Sequence, residues 1–323
     1  MSTFAHALVY VSPGEARIEE VGLPDLLPGM VEVETIASGL SRGTERLVYN
    51  GQVPQAEWNR MRAPMQAGDF PFPVRYGYAC AGRVVAGPQV GRLVFALHPH
   101  QTRFRVPEEA VLPLPDGLSA RRAILAANTE TALNAIWDAQ LAPGVRCLVV
   151  GAGMVGWLIT ALLSPRVDLT VHVTDVRQDT GVKADDFGVR FMTPADVQEK
   201  AYDVAFHCSA SSSGLQTAID ALDFEGKLLE LSWYGEQRVD VMLGGNFHAN
   251  RLQIISSQVG HVAPARRASY DYRDRLAAAL DALTDPRFED LITEDVAFFD
   301  LPGALPDLLA PDATGIATRI VYD

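Results

Sequence analysis

Residues 146–177 read RCLVVGAGMVGWLITALLSPRVDLTVHVTDVR, and this stretch decides the fold of the chain. A short apolar run at 147–150 is followed by a G-x-G-x-x-G pattern. An apolar segment of helical length at 154–163 and a second β-branched run at 169–174 come next, and the latter leads directly into Asp175. The order of strand, glycine turn, helix, strand and acid is typical of a βαβ unit.

Gly151, Gly153 and Gly156 form the glycine pattern at the strand-to-helix turn. The first glycine allows the tight turn, the second lets the backbone approach a pyrophosphate, and the third lets the helix pack against the strand. The helix N-terminus attracts phosphate, and the backbone N–H groups of Met154 and Val155 are the expected donors. The full context predicts a dinucleotide site; an incidental strand-to-helix turn is the alternative.

Asp175 lies 19 residues after Gly156, close to the spacing expected for a ribose-binding acid. A carboxylate there accepts hydrogen bonds from the adenosine ribose hydroxyls and repels a 2′-phosphate, which favours NAD. Arg177 complicates this assignment, because a nearby arginine can accommodate the 2′-phosphate of NADP. We therefore expect NAD as the cofactor, with NADP as the alternative.

Composition excludes several classes of protein. The 323 residues can form two domains, and 48% hydrophobic with 21% charged residues is typical of a soluble globular enzyme. A net charge of −13 without a Lys/Arg block argues against nucleic-acid and membrane partners. The sequence shows neither an apolar run of about 18 residues nor a signal peptide, so we expect a cytoplasmic protein acting on a small molecule.

The rest of the chain shows two kinds of sequence pattern. Before residue 120 it alternates apolar and polar residues between turns, as a β-rich lobe does. After the acid, predicted strands at 203–209, 227–233 and 252–259 alternate with helices. This alternation predicts an α/β fold, a Rossmann doubly wound parallel sheet, preceded by the β-rich lobe. The strand-like tail ATRIVYD has no βαβ continuation, so we expect it to return to that lobe.

The chain resembles the medium-chain dehydrogenase/reductase superfamily over nearly its whole length. The resemblance rests on V-x-V-x-x-x-x-x-G-L-S-R-G-T-E, R-Y-G-Y-x-x-x-G-R-V-V-x-G and L-V-V-G-x-G-x-x-G. The motifs S-G-L-S-R-G-T-E and F-H-A-N-R-L-Q-I-I-S-S-Q-V-G are similar to the branch that includes the bacteriochlorophyllide dehydrogenases. The resemblance implies a GroES-like catalytic lobe at 1–120, a nucleotide domain at 121–264, a return to the lobe at 265–323, and a homodimer.

The zinc ligands of this superfamily are missing. Zinc members carry a cysteine where this chain has Ser41 or Arg42, and Gly-His-Glu where it has Gly77, Tyr78 and Ala79. The three cysteines form no C-x-x-C motif. Because zinc is held by Cys, His or carboxylate groups, the sequence predicts no catalytic zinc.

Other groups must then stabilise charge on a substrate oxygen. Tyr78 and Ser41 stand in the vacated positions and are candidate hydrogen-bond donors, with packing and local backbone bonding as the alternative roles. Glu45 or Thr44 could relay a proton. A competing hypothesis builds a metal site from Glu45, His98 and His100, but we interpret these histidines as surface residues at a strand end.

Ser209 and Ser232 follow two predicted parallel strands, where the strand ends line a cofactor crevice. Asn128 and Thr129 are further candidates near the nicotinamide, with helix capping as the alternative. We predict a zinc-independent, NAD(H)-linked oxidoreductase that interconverts an alcohol and a carbonyl on a small or medium organic substrate. The alternatives are an NADPH-type reductase of activated C=C bonds and a nucleotide-binding protein without turnover.

Overall fold

The computed structural model describes residues 3–322. Its strands are β1 (Phe4–Ser12), β2 (Glu15–Gly22), β3 (Met30–Leu40), β4 (Ala67–Gly68), β5 (Val74–Arg75), β6 (Cys80–Ala86), β7 (Leu93–Ala96), β8 (Arg103–Pro107), β9 (Val111–Pro113), β10 (Arg146–Val150), β11 (Thr170–Thr174), β12 (Arg190–Met192), β13 (Tyr202–His207), β14 (Leu222–Glu230), β15 (Gln253–Ser256), β16 (Ile292–Ala297) and β17 (Ala317–Val321). Its helices are α1 (Arg42–Tyr49), α2 (Ala120–Ala123), α3 (Ala126–Ala139), α4 (Met154–Leu163), α5 (Ser212–Ala221), α6 (Asn246–Ala249), α7 (Tyr272–Ala282) and α8 (Leu301–Leu308).

The chain forms two compact units. Unit 1 comprises Met1–Ala127 and Ile292–Asp323, and unit 2 comprises Asn128–Leu291. Residues 265–291, which we predicted to return to the first lobe, therefore lie in unit 2. The reason is a buried ion pair, since Arg275 of α7 donates to Glu130 of α3 over 2.9 Å. An amphipathic helix shows which face it buries, but not which domain it packs against.

Unit 1 is built from two sheets. One has the strand order β16-β17-β3-β6-β7-β9, with β8 also paired to β3, and the other has the order β2-β1-β5-β4. The C-terminal strand β17 pairs antiparallel with β3, placing Thr318 opposite Leu40. The C-terminal strand thus lies in a sheet of unit 1. This pairing also fixes the end of β3, from which Ser41 and helix α1 follow.

Unit 2 contains a parallel sheet in the order β12-β11-β10-β13-β14-β15. Counted within the unit, this order is 3-2-1-4-5-6, the doubly wound arrangement, so the predicted fold class is confirmed. In β10, Cys147 to Val150 are buried, because helices cover both faces of such a sheet. The strand order reverses between β10 and β13, and ligands bind beyond the carboxyl ends of the strands at such a point.

Candidate functional site

The glycine turn after β10 has one open position between two enclosed ones. A Cβ on Gly151, whose φ is +104°, would lie 2.8 Å from the Ser209 nitrogen. A Cβ on Gly156 would lie 1.9 Å from the Gly151 oxygen. A Cβ on Gly153 would meet nothing within 4 Å. The protein's own packing therefore explains the outer glycines, whereas the middle glycine leaves room for an approaching ligand.

Helix α4 begins directly after this turn. Gly153 is its N-cap, with φ −79° and ψ −170°, and it offers no side-chain acceptor to the first turn. The first N–H groups of a helix lack acceptors within the helix, and Met154 and Val155 are the first two helical residues. The helix dipole adds a partial positive charge at this end. The turn and the helix together fit a pyrophosphate.

Asp175 follows β11 and holds the glycine turn in place. Its Oδ2 accepts a hydrogen bond from the Ala152 N–H over 2.7 Å, and its Oδ1 accepts from the Arg177 N–H over 2.8 Å. The Arg177 Nε lies 4.0 Å from Oδ1. A carboxylate accepts about four hydrogen bonds, so Asp175 retains capacity for ribose hydroxyls. It thus has a positioning role that its sequence spacing did not reveal.

Ser209 and Ser232 lie beside two residues that the sequence analysis missed. The Ser209 Oγ is 2.7 Å from Nε2 of His207, and the Nδ1–H of His207 donates to Glu230 over 2.8 Å. The Ser232 Oγ accepts from the Ala210 N–H over 3.1 Å. The available signal was a polar residue at the end of each otherwise apolar run, in DVAFHC and KLLELS.

Tyr78 and Ser41 are brought together in unit 1. The Tyr78 hydroxyl donates to the Ser41 Oγ over 2.6 Å. Burial raises the pKa of Tyr78 to about 12, although hydrogen bonds with Ser41 and Thr44 act in the opposite direction. The phenol therefore keeps its hydrogen at neutral pH and can act as a donor. Arg42, the alternative at the lost cysteine position, instead donates to the Thr318 hydroxyl over 3.1 Å.

Glu45 is the centre of a buried hydrogen-bond network in unit 1. Its side chain is fully buried. Its Oε1 accepts from the Ser41 N–H over 2.7 Å, and its Oε2 accepts from the Tyr10 hydroxyl over 2.8 Å. Oε2 also lies 3.0 Å from Nε2 of His100. Glu45 therefore fixes the backbone of the residue whose hydroxyl binds Tyr78.

The network continues beyond His100. Its Nδ1 lies 2.8 Å from the Ser38 Oγ, which lies 2.8 Å from the Tyr322 hydroxyl. Because the Glu45 carboxylate only accepts, Nε2 of His100 carries a hydrogen, and when the ring is neutral its Nδ1 accepts from Ser38. A directed chain of hydrogen bonds thus leads from Tyr322 to Glu45, as a proton relay requires.

The interpretation of His98 and His100 as surface residues is wrong. His98 is 8% exposed and His100 is fully buried. The His98 ring stacks on Phe104 with centroids 4.0 Å apart, and burial lowers its pKa to about 4. His100 fits because residue 77 is a glycine with φ +115°, where a Cβ would lie 2.8 Å from the imidazole. The sequence LHPH has no periodicity from which this packing could be inferred.

The competing hypothesis of a metal site made of Glu45, His98 and His100 can be compared with the observed contacts of these residues. Within residues 3–322, no group of three or more His, Cys, Asp or Glu side chains is arranged to hold a metal ion. His98 directs its Nδ1 to the Pro99 carbonyl over 2.9 Å, whereas His100 bonds Glu45 and Ser38. The three residues of that hypothesis therefore have other partners.

Two relatives of known name match the chain along most of its length, although no protein-family model matches it. The (R,R)-butanediol dehydrogenase of Bacillus subtilis (strain 168) is 22% identical over 332 residues, which cover 89% of this chain and 91% of that protein. The 2-desacetyl-2-hydroxyethyl bacteriochlorophyllide A dehydrogenase of Cereibacter sphaeroides is 24% identical over 335 residues, which cover 95% of this chain and 98% of that protein. The resemblance to the medium-chain dehydrogenases is confirmed. Both relatives are dehydrogenases, as the sequence analysis predicted for this chain.

Solved dehydrogenase structures share the fold. L-idonate 5-dehydrogenase of Escherichia coli K-12 superposes with a TM-score of 0.82 at 14% identity, covering 100% of this chain and 99% of that chain. An Escherichia coli CFT073 alcohol dehydrogenase complexed with NADH has a TM-score of 0.77 at 15% identity, covering 99% and 100%. A Sinorhizobium meliloti 1021 dehydrogenase bound to NADP has a TM-score of 0.78 at 15% identity, covering 99% and 100%. At these identities the likeness establishes the fold.

Two further features of the chain bear on predictions made from the sequence. Asn128 and Thr129 are buried within α3, which begins at Ala126, so neither residue is the N-cap of that helix. Across residues 3–322, no helix is both long enough and apolar enough to span a bilayer.

Proposed function

We propose that this chain is an NAD(H)-linked oxidoreductase that interconverts an alcohol and a carbonyl on a small or medium organic molecule without a catalytic zinc. The observation that carries the proposal is the open Gly153 between the enclosed Gly151 and Gly156, at the point where the strand order reverses. Backbone approach to a pyrophosphate needs this arrangement. The dehydrogenase relatives support the same reaction class.

The cofactor end of the proposal uses groups of unit 2. The α4 N-terminus would bind the pyrophosphate, and Asp175 would accept from the adenosine ribose while repelling a 2′-phosphate. When bound, NAD supplies the hydride acceptor, and NADH supplies the hydride donor. The structural neighbours include one NADH complex and one NADP complex, so the preference for NAD rests on the carboxylate of Asp175.

The substrate end of the proposal uses groups of unit 1. Tyr78 donates to the Ser41 Oγ in the structure. When substrate binds, the Tyr78 hydroxyl would turn from Ser41, and both hydroxyls would donate to the substrate oxygen, on which negative charge develops during hydride transfer. Glu45 would hold the Ser41 backbone in place. In carbonyl reduction it would pass the proton that it receives from His100 to the Ser41 hydroxyl, as that hydroxyl gives its own proton to the substrate oxygen. The proposal excludes zinc because Ser41 and Tyr78 replace ligand types that zinc requires. Measuring bound zinc in purified protein tests this point, and near-stoichiometric metal would contradict it.

The decisive experiment compares nucleotides and then substrates. A nucleotide at about 100 times its Kd should stabilise the protein by about 2.7 kcal/mol, so NADH should raise the melting temperature more than NADPH does. NADH consumption is then measured with an aldehyde and ketone panel and with an enone panel. Turnover of enones alone would favour the C=C reductase, and NADH binding without any turnover would favour the non-catalytic protein. No shift with either nucleotide would reject the proposal.

The proposal includes a homodimer in the cytoplasm. Strand β15 is the last in the order of the unit 2 sheet, and Ile254 on it is 40% exposed. An exposed sheet edge can pair with a second copy of the chain. Light scattering of the purified protein should give twice the mass of 35.0 kDa.

Tyr78→Phe is expected to lower kcat about 3- to 10-fold while leaving the Kd for NADH unchanged. The substitution removes one neutral hydrogen-bond donor, which is typically worth 0.5–1.5 kcal/mol. Stopped-flow kinetics with the preferred carbonyl measures this change. Tyr49→Phe is the control, since the Tyr49 hydroxyl donates to the Gly14 carbonyl. Equal losses in both variants would contradict the role of Tyr78.

Asp175→Asn is expected to raise the preference for NADPH relative to NADH about tenfold. The charge that repels a 2′-phosphate is lost, while the amide oxygen still accepts one backbone hydrogen bond. Titration of each nucleotide by fluorescence gives the ratio of the two Kd values. Asp179→Asn, at an exposed position nearby, should leave that ratio unchanged. An unchanged ratio in Asp175→Asn would show that this carboxylate does not select the nucleotide.

A further inference from the structure

An arginine of unit 2 lies over two aromatic rings, on the connection between β15 and α7. The guanidinium carbon of Arg266 is 5.6 Å from the centroid of the Trp137 ring and 6.0 Å from that of the Tyr270 ring. The two rings are tilted at 51° to each other, with centroids 4.7 Å apart. We call Trp137, Arg266 and Tyr270 the Arg266 platform. Arg266 is exposed and both rings are half-buried, so all three residues reach the surface.

Backbone hydrogen bonds hold Arg266 on both sides. Its N–H donates to the Ala263 carbonyl over 2.8 Å, and its carbonyl accepts from the Tyr270 N–H over 3.0 Å. The Ala263 N–H donates in turn to the Asn134 Oδ1 over 2.9 Å. Asn134 and Trp137 both belong to α3, so the connection is attached to the helix that carries the ring. The platform is therefore formed before a ligand binds, which lowers the entropy cost of binding.

The positive charge of Arg266 has no acidic partner in the part of the chain that the structure describes. Two other arginines lie over aromatic rings there, and both have one. Arg275 pairs with Glu130 over 2.9 Å, and Arg287 pairs with Asp285 over 2.7 Å. The Arg266 side chain forms neither an ion pair nor a hydrogen bond with residues 3–322. Because a guanidinium stacks through its face and donates in its plane, its five N–H donors are available to an anion.

Charged residues next to the platform in sequence limit the charge of its ligand. Asp138 follows Trp137, and Asp271 follows Tyr270. Arg267 is the next residue after the platform arginine and adds a second positive charge. The two acids repel an anion in proportion to its charge, so a phosphate monoester, with about −1.5 to −2 at pH 7, is disfavoured relative to a carboxylate. The platform therefore fits the single charge of a carboxylate.

We propose that the Arg266 platform is a binding site for the carboxylate group of an organic anion with an aromatic body. The guanidinium binds the carboxylate through two parallel N–H···O hydrogen bonds, the geometry that its planar fork favours. The exposed parts of the Trp137 and Tyr270 rings pack against the aromatic body of the ligand. The site uses none of the groups assigned above to the cofactor or to the reaction, so it is additional to the proposed function.

Three naphthalene probes test the site, namely 2-naphthoate, 2-naphthalenemethanol and 2-naphthyl phosphate. They share one aromatic body and differ in the charge of the group attached to it. Ligand-observed NMR titrations give the Kd of each probe. The wild type should bind 2-naphthoate about tenfold more tightly than the alcohol, as expected for charge-assisted hydrogen bonds, and more tightly than the phosphate. Equal binding of the acid and the alcohol would overturn the site, and tightest binding of the phosphate would overturn its assignment to carboxylates.

Substitutions of the arginine assign the binding to the platform. Arg266→Gln should bind 2-naphthoate and the alcohol with nearly equal affinity, because the amide carries no charge. Arg266→Lys keeps the charge without the planar fork and should lose most of the preference for the acid. Arg251→Gln is the matched control and should keep that preference, since it removes the same charge from an exposed arginine that pairs with Glu225.

Two further measurements on Arg266→Gln complete the test. NADH should bind this variant as it binds the wild type, and weaker NADH binding would overturn the separation of this site from the cofactor site. The urea midpoint should stay close to that of the wild type, because the residue is exposed. A lower midpoint with unchanged binding of 2-naphthoate would show that Arg266 only packs on the two rings, and would overturn the site.

Discussion

Gly153→Ala is expected to weaken NADH binding about 10- to 100-fold while the protein remains folded. The added methyl group meets no protein atom within 4 Å, so it would occupy the space through which a pyrophosphate approaches. Overpacking typically costs about 1–3 kcal/mol, and 1.4 kcal/mol corresponds to a factor of ten. Alanine is a poorer N-cap than glycine, so the free energy of unfolding should fall by less than about 1 kcal/mol.

Gly156→Ala is the comparison within the same motif. Its Cβ would lie 1.9 Å from the Gly151 oxygen, so the turn or helix α4 must move even without a ligand. We expect a loss of unfolding free energy of about 1–3 kcal/mol together with loss of binding. Urea unfolding and NADH titration of both variants separate the two effects. Unchanged NADH affinity in Gly153→Ala would show that the nucleotide does not approach this glycine.

Glu45→Ala is expected to destabilise the protein by about 3–5 kcal/mol. The substitution leaves the Ser41 N–H, the Tyr10 hydroxyl and the His100 ring without their common acceptor in a fully buried site. Removing one partner of a buried pair has a cost of this size because the other group stays buried and uncompensated. Because the free energy of unfolding of a protein is about 5–15 kcal/mol, the loss would be a large share of the total stability.

Two further variants separate charge from packing at this position. Glu45→Gln keeps an acceptor for the Ser41 N–H and should lose less stability than Glu45→Ala, while its kcat falls because the relay to His100 is interrupted. Glu34→Gln removes a half-exposed carboxylate that pairs with Arg103, and its effect should stay below about 1 kcal/mol. Urea unfolding and single-turnover kinetics give the two quantities. A Glu45→Gln enzyme of wild-type kcat would exclude Glu45 from proton transfer.

The local sequence pattern was sufficient to predict the fold of unit 2. Helix α4 spans 154–163 as the apolar run predicts, and the residues that follow each strand lie at the carboxyl edge of one parallel sheet. The sequence also indicated that the tail returns to the first lobe, and the structure pairs it there with β3. These inferences succeed because a glycine triplet, a hydrophobic period and a strand–helix alternation are each properties of consecutive residues.

Pairings between distant residues were decided by tertiary structure. His207 and Glu230 are 23 residues apart and meet only because parallel register places two strand ends side by side. His100 is buried beside Glu45, 55 residues away, because Gly77 leaves space for its ring. No pattern of consecutive residues encodes such contacts.

The sequence by itself determined the doubly wound fold and the position of the nucleotide turn, since both follow from local order along residues 146–177. The tertiary structure decided which polar groups support that turn and which support Ser41 and Tyr78. It also placed residues 265–291 in unit 2, through the pairing of Arg275 with Glu130. A buried polar group must find its partner wherever the fold supplies one, and that partner is seldom a neighbour in sequence.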